Sequence, residues 1–230
     1  MYWYEISPFA LAIIAIVISL VAQLNVNSTF NRYSKIKNLR GVTGAEIARR
    51  ILDRHGLYDV NVERVSGKLS DHFDPRANVL RLSKGVYESG SVAAIGVAAH
   101  ECGHAIQYAQ EYAPMKLRGS LVKTVNFSSA SSFLIILVGM LFSIPEIAYI
   151  GVALFSVIVF FQLVTLPVEF NASNRAVAVL AGGIMPPEEL DGVKKVLTAA
   201  ALTYVAAFVN SLLQLLRLLA IVNGGSGRRR

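Results

Sequence analysis

The sequence predicts a mainly α-helical integral membrane protein, with three to four transmembrane helices and a small α+β layer that contains a short two-stranded β element. Two observations support this prediction. Of the 230 residues, 54% are hydrophobic and 16% are charged, whereas charged residues make up about 25% of soluble domains. The apolar residues also gather in long segments that are almost free of charge. We interpret residues 1–230 as a single membrane-embedded domain.

The first apolar segment is residues 8–24, which contain no charged side chain. Its length is close to the roughly 20 residues that a helix needs to cross a bilayer. A signal peptide would carry Lys or Arg before its apolar core, but here the preceding residues are aromatic and acidic. We therefore predict an uncleaved membrane anchor at about residues 6–25.

A basic stretch follows the anchor. Its members are Arg32, Lys35, Lys37, Arg40, Arg49, Arg50 and Arg54. By the positive-inside rule this stretch is cytoplasmic and the N-terminus is outside. The net charge of +7 does not indicate nucleic acid, because the basic residues lie beside apolar segments and not in a stripe interleaved with aromatics. We expect contact with the lipid bilayer and none with nucleic acid.

The α+β layer begins with a helix. Thr43 and Glu46 form a capping-box pattern that opens a helix through Arg54, and Gly56 can end it.

Two short strands are expected after this helix. One contains Val60, Val62 and Val65, and the other is residues 78–83, where apolar and polar side chains alternate. Residues 71–76 between them are too polar for an interior strand, and they include a proline, which interior strands do not tolerate. The strand at 78–83 is a candidate edge strand for an extended substrate, or else it simply packs over the following helix.

Two apolar segments at residues 133–144 and 148–166 flank a Pro-Glu turn, and they predict a transmembrane hairpin over about residues 130–166. A last helix is expected at about residues 188–222, and its apolar segment, residues 196–222, is interrupted by the polar residues Asn210, Gln214 and Arg217. That helix either spans the membrane or lies partly in its interface. If this helix spans the membrane, the basic C-terminal tail lies outside, which conflicts with the positive-inside rule.

The pentapeptide His-Glu-Cys-Gly-His at residues 100–104 is the clearest chemical signal. Histidines four positions apart lie about 40° from each other around a helix, so His100 and His104 can bind one metal ion. Glu101 is then placed to accept a proton from a water molecule that Zn²⁺ activates, as peptide hydrolysis requires. Residues 40–125 are therefore expected to form a zincin-like catalytic layer. Cys102 is not at a ligand spacing and is interpreted as a small buried residue.

A catalytic zinc ion normally has three protein ligands. Glu169 is the best candidate for the third, on a predicted helix over about residues 167–182 whose first turn contains the proline. Glu169 can instead be a carboxylate at headgroup level that pairs with Arg175, and His72 is the chief rival ligand.

His72 and Arg175 are also candidate donors to the oxyanion of the reaction, and His72 is equally a candidate structural anchor of its loop. His55 lies near a helix end and is interpreted as a solvated histidine favoured by the helix dipole.

The pentapeptide, the apolar hairpin and the segment Leu-Pro-Val-Glu-Phe-Asn-Ala-Ser at residues 166–173 together resemble the YugP-like neutral zinc metallopeptidases of bacterial membranes. The resemblance covers nearly the whole chain. It implies a gluzincin site in which His100, His104 and Glu169 bind zinc and Glu101 is the general base.

The layout is also similar to the HtpX-like membrane proteases, whose third-ligand helix carries Glu-x-x-Ala-Asp. Here Ser173 stands where that pattern has Asp. The serine offers a weaker hydrogen bond to a ligand histidine, so Asn171 or Asp71 are further candidates for bracing it.

These features predict a zinc-dependent endopeptidase at the cytoplasmic membrane face, acting on membrane or misfolded polypeptides. The alternative is a catalytically silent, zinc-stabilised membrane scaffold or chaperone-like protein, which would not need Glu101. A metal transporter would place its ligands within the spans, but Glu146 in the turn is the one charged residue of 133–166.

Overall fold

The computed structural model describes residues 7–67 and 70–226. The elements of these residues are α1 (Pro8–Tyr33), α2 (Gly44–Arg54), β1 (Asn61–Val65), β2 (His72–Asp74), β3 (Val79–Ser83), α3 (Lys84–Tyr87), α4 (Val92–Ala109), α5 (Ala113–Leu141), α6 (Pro145–Ala181) and α7 (Pro187–Ser226). Helices α1, α5, α6 and α7 are each long and apolar enough to cross a membrane. The prediction of a mainly α-helical membrane protein is confirmed. The first residue of the predicted anchor and the basic tail at 228–230 lie outside the described residues.

The chain divides into two compact units. The first unit comprises residues 7–23, 117–166 and 203–226, all helical apart from Ser7 and the α5–α6 turn. Its buried apolar cluster consists of Ile136, Ala148, Val152, Leu218 and Val222. Helices α5 and α6 approach closely, since a Cβ atom on Gly139 would lie 2.8 Å from the Ala148 Cα atom. This small-residue contact is typical of helix pairs in membranes and forms the predicted hairpin.

Helix α7 runs without a break through the three polar positions of its apolar segment, in agreement with the expected helix at about residues 188–222. Asn210 donates a hydrogen bond to the Ser19 hydroxyl, and the Arg217 guanidinium donates one to Gln214 at 3.3 Å. Hydrogen bonds of this kind give polar side chains partners within an apolar helix, so such residues are compatible with an unbroken helix.

The second unit comprises residues 24–67, 70–116 and 167–202. The predicted capping box opens α2: Thr43 N–H donates to the Glu46 carboxylate at 2.8 Å, and Glu46 N–H donates to the Thr43 hydroxyl at 3.3 Å. His55 is the C-cap, and Gly56 follows at φ +71°, a left-handed conformation that glycine adopts without strain. Both ends of α2 are therefore as predicted.

The sheet has three strands in the order β1-β3-β2, where two strands were expected. β3 pairs with β1 in parallel and with β2 antiparallel, so it is the central strand. Of the two alternatives for residues 78–83, the edge strand is therefore wrong. Four of the five β3 side chains are buried, which a central strand requires. The polar segment at 72–74 forms the edge strand β2, because an edge tolerates polar side chains and a proline directly after it.

Candidate metal centre

Helix α4 carries the His-Glu-Cys-Gly-His pentapeptide in the core of the second unit. Ser91 caps the helix by accepting a hydrogen bond from Ala94 N–H at 3.2 Å. Small side chains between the cap and the pentapeptide allow close packing, and they are fully or almost fully buried: Ala93, Ala94, Ala98 and Ala99. Cys102 is buried as predicted, with its thiol 3.6 Å from the Ala48 carbonyl, and burial raises its pKa.

Helix α6 crosses α4 at Gly103. A Cβ atom there would lie 2.6 Å from the Ala172 carbonyl oxygen, so only glycine permits this separation. The contact belongs to a fully buried stripe on α6 formed by Val168, Ala172, Ala176 and Leu180, spaced four residues apart. The prediction that a new helix begins near Pro167 is wrong, because α6 is continuous from Pro145 to Ala181. Packing of this stripe keeps the helix intact around the proline.

This crossing brings together the three predicted ligands. The Glu169 Oε2 atom lies 3.3 Å from His100 Nε2 and 3.5 Å from His104 Nε2. The two imidazole rings are nearly perpendicular, at 85°, with their centroids 4.7 Å apart. Ligands placed tetrahedrally at about 2.0–2.1 Å from Zn²⁺ are about 3.3–3.4 Å from one another. The donor set and its spacing therefore fit a zinc ion.

The electrostatics of the cluster also favour a cation. Burial disfavours protonation of His104, but the Glu169 carboxylate and the negative charge of Glu101 outweigh it and raise the pKa of His104. Glu169 itself is only 2% exposed. A buried carboxylate beside two histidines needs a positive charge nearby, and a metal ion can supply it.

Each histidine is held through its other ring nitrogen. His104 Nδ1 is 3.0 Å from the Gln107 side-chain oxygen, and His100 Nδ1 is 3.2 Å from the Ser173 hydroxyl. With these Nδ1 atoms as donors, both Nε2 lone pairs face Glu169, which is the tautomer that a metal ligand needs. Ser173 thus contacts a histidine in the position where the similar proteases carry Asp.

Gln107 was missed in the sequence analysis, although its position one turn after His104 is a usable signal. It is fully buried, and its amide donates to the Val168 carbonyl at 2.8 Å and to the Asn171 side chain at 2.9 Å. Gln107 therefore links the ring of His104 on α4 to the backbone of α6 near Glu169.

We expect Gln107→Leu to weaken zinc binding by about 10-fold to 100-fold, because His104 loses the partner that orients its ring. The measurement is competitive zinc titration of the purified protein against a chelator. Gln110→Leu is the matched control, since it makes the same change at a nearby glutamine whose side-chain oxygen accepts a hydrogen bond from Arg175 at 2.6 Å. Equal zinc affinities in Gln107→Leu and wild type would contradict a positioning role.

The other candidate residues are not members of the His100, His104 and Glu169 cluster. Glu101 is buried on α4, between His100 and His104 in sequence. His72 is an exposed residue of β2, its Nδ1 atom 2.7 Å from the Ser70 carbonyl, and it is not a member of the ligand cluster. Arg175 donates to Asn171 at 2.7 Å and to Gln110, so the predicted alternative of a pair with Glu169 is not observed.

Asp71 and Asn171 are the two other residues that the sequence suggested as hydrogen-bond partners of a ligand histidine. The Asp71 carboxylate accepts hydrogen bonds from the Ser83 N–H and hydroxyl, at 2.7 and 3.0 Å, and it anchors the β2–β3 region instead of a ligand histidine. Asn171 accepts a hydrogen bond from Gln107, which in turn lies beside His104 Nδ1, so Asn171 is connected to that histidine through Gln107.

Residues 8–223 match the model of a family described as "Putative neutral zinc metallopeptidase". The chain is 50% identical over 216 residues to a Bacillus subtilis (strain 168) protein named "Putative membrane protease YugP", an alignment that covers 94% of this chain and 96% of that protein. No solved structure matches the chain. The resemblance and the zinc cofactor inferred from the sequence are confirmed. The chain belongs to the neutral zinc metallopeptidase family.

Proposed function

We propose that this protein is a zinc-dependent endopeptidase of the gluzincin type, in which His100, His104 and Glu169 hold the metal and Glu101 is the general base. The observation that supports it most strongly is the convergence of two imidazole nitrogens and one buried carboxylate oxygen within 4.8 Å of one another. Glu101 follows the first of these histidines directly on α4. The Glu101→Gln variant tests the proposal, since it separates catalysis from zinc binding.

The mechanism assigns a separate task to each group. Zinc, when bound, lowers the pKa of water to about 7 and polarises the peptide carbonyl. Glu101 accepts the proton of the attacking water and transfers it to the amine that leaves. Gln107 and Ser173 hold the rings of His104 and His100 so that their Nε2 atoms stay directed at one point.

The edge strand β2 is the place where we expect an extended polypeptide to bind. Among the described strands, β2 pairs with β3 on one side only, and the Phe73 and Tyr108 rings lie 5.9 Å apart, joining β2 to the end of α4. Backbone hydrogen bonds to such an edge do not require a particular side-chain sequence. Membrane or misfolded proteins with exposed backbone therefore suit this site. His72 remains the candidate oxyanion donor on the strand.

We further propose that the protein is a multi-pass cell-membrane protein whose second unit, with the metal centre, faces the cytoplasm. The residues of the basic stretch after the anchor all lie in this unit, whereas residues 142–144 between α5 and α6 contain no Lys or Arg. This asymmetry is the one that the positive-inside rule associates with the cytoplasmic side.

Labelling of an introduced cysteine tests the orientation. Cys102 is buried, so the exposed Lys84→Cys side chain is expected to be the reactive thiol. We expect a membrane-impermeant maleimide to label it in inverted membrane vesicles and not in intact cells. Labelling in intact cells would place the metal centre outside.

A further inference from the structure

The second unit contains a pocket of about 380 Å³ beside the last turns of α1 and the first turns of α7. Three basic side chains line it: Arg32, Lys194 and Lys195. None of these residues belongs to the metal centre. A pocket of this size that collects three cations is a candidate site for an anionic group.

Only one of the three cations is neutralised by a close partner. The Lys195 ammonium group lies 2.6 Å from the Asp191 carboxylate. The Arg32 guanidinium is 5.7 Å from the centre of the Tyr33 ring, a contact that orients it without cancelling its charge. Within the part of the chain that the structure describes, no ion pair is formed by Arg32 or Lys194. Two positive charges therefore remain for a ligand.

Neutral polar groups complete the lining. Thr29 and Asn25 contribute a hydroxyl and an amide from α1, and Thr198 contributes a hydroxyl from α7. A phosphate group has several acceptor oxygens and is bound well by a guanidinium, an ammonium and hydroxyl donors together. The side chain of Leu202, 44% exposed, borders the same pocket and offers an apolar surface.

The pocket is placed where both helices change from polar to apolar sequence. Asn25 directly follows the apolar run of residues 8–24, and Lys194 and Lys195 directly precede the apolar part of α7. In a spanning helix this transition lies at the membrane surface, at the depth of the lipid phosphates. Acyl chains of a lipid bound there would run beside the apolar part of each helix.

We propose that this pocket binds a phosphate group and that an anionic phospholipid presents it. The proposal does not depend on the protease mechanism. Inorganic phosphate carries the same kind of group and can bind the same side chains, so it is tested separately from the lipid.

The test uses the full-length, zinc-loaded protein in detergent, with short-chain phosphatidylglycerol as the probe and native mass spectrometry as the measurement. Phosphatidylcholine of the same chain length is the lipid control, because its choline cancels the phosphate charge. We expect the double variant Arg32→Gln with Lys194→Gln to bind phosphatidylglycerol at least about tenfold more weakly than wild type.

Arg50→Gln with Lys84→Gln is the matched control, since it removes one arginine and one lysine from exposed positions of the same unit outside the pocket. It should bind the lipid as wild type does, and Arg32→Lys with Lys194→Arg should retain binding. Two results would overturn the proposal. One is that wild type binds phosphatidylglycerol and phosphatidylcholine equally well. The other is that the pocket double variant and the control double variant lose phosphatidylglycerol binding to the same extent. Inorganic phosphate that binds as tightly as the lipid would overturn the assignment to phospholipid. Unchanged zinc content and thermal unfolding confirm that the variants are folded.

Discussion

Replacing Glu101 with Gln is expected to reduce peptide-bond cleavage by about 10²-fold to 10⁴-fold, the usual contribution of a positioned general base. Glutamine has nearly the same size and keeps the packing of this buried position on α4, but its amide cannot accept the proton of the attacking water. Zinc should remain bound, because Glu101 is not one of the three clustered residues that are proposed to hold it.

Two quantities are measured for each protein: the rate at which it cleaves an unfolded polypeptide, and its zinc content by elemental analysis. Glu111→Gln is the matched control, since it makes the same change at an exposed residue just after α4 and should leave both quantities unchanged. Undiminished cleavage by Glu101→Gln would refute the mechanism. Wild type that binds zinc but cleaves nothing would favour the silent scaffold. Proteins that remain bound to the inactive variant would identify the substrates.

Glu169→Gln is expected to give the largest loss of zinc, at least about 100-fold in affinity, since even residues that only orient ligands contribute 10-fold to 100-fold. The carboxamide is a neutral and weaker ligand, and it removes the negative charge that faces both His100 Nε2 and His104 Nε2. Glutamine fits the buried volume, so loss of zinc can be separated from loss of folding by circular dichroism.

His72→Ala provides the comparison, because His72 was the rival third ligand in the sequence analysis. We expect this variant to bind zinc as wild type does, given that the His72 side chain is exposed and outside the cluster. The reverse result, with zinc kept in Glu169→Gln and lost in His72→Ala, would reassign the third ligand.

Several of the features predicted correctly from sequence depend on residues close together in the chain. The capping box of α2 needs only Thr43 and Glu46, three positions apart. The shared direction of His100 and His104 needs only a helix. The wrong predictions depend on distant contacts. β3 is central because two earlier segments of the chain, β1 and β2, pair with its two sides. α6 continues through Pro167 because its buried stripe packs onto α4.

The sequence by itself determined that this is a membrane protein with a two-histidine metal motif, because hydropathy and helical spacing are local properties. Only the tertiary structure decided between Glu169 and His72 as the third member of the cluster. That choice rests on the close approach of Gly103 to Ala172, which places a carboxylate from a distant helix beside both Nε2 atoms. The Gln107 brace depends on the same approach, since its hydrogen bonds reach α6 only at this separation. Helix spacing fixes which residues share a face, whereas packing decides which faces meet.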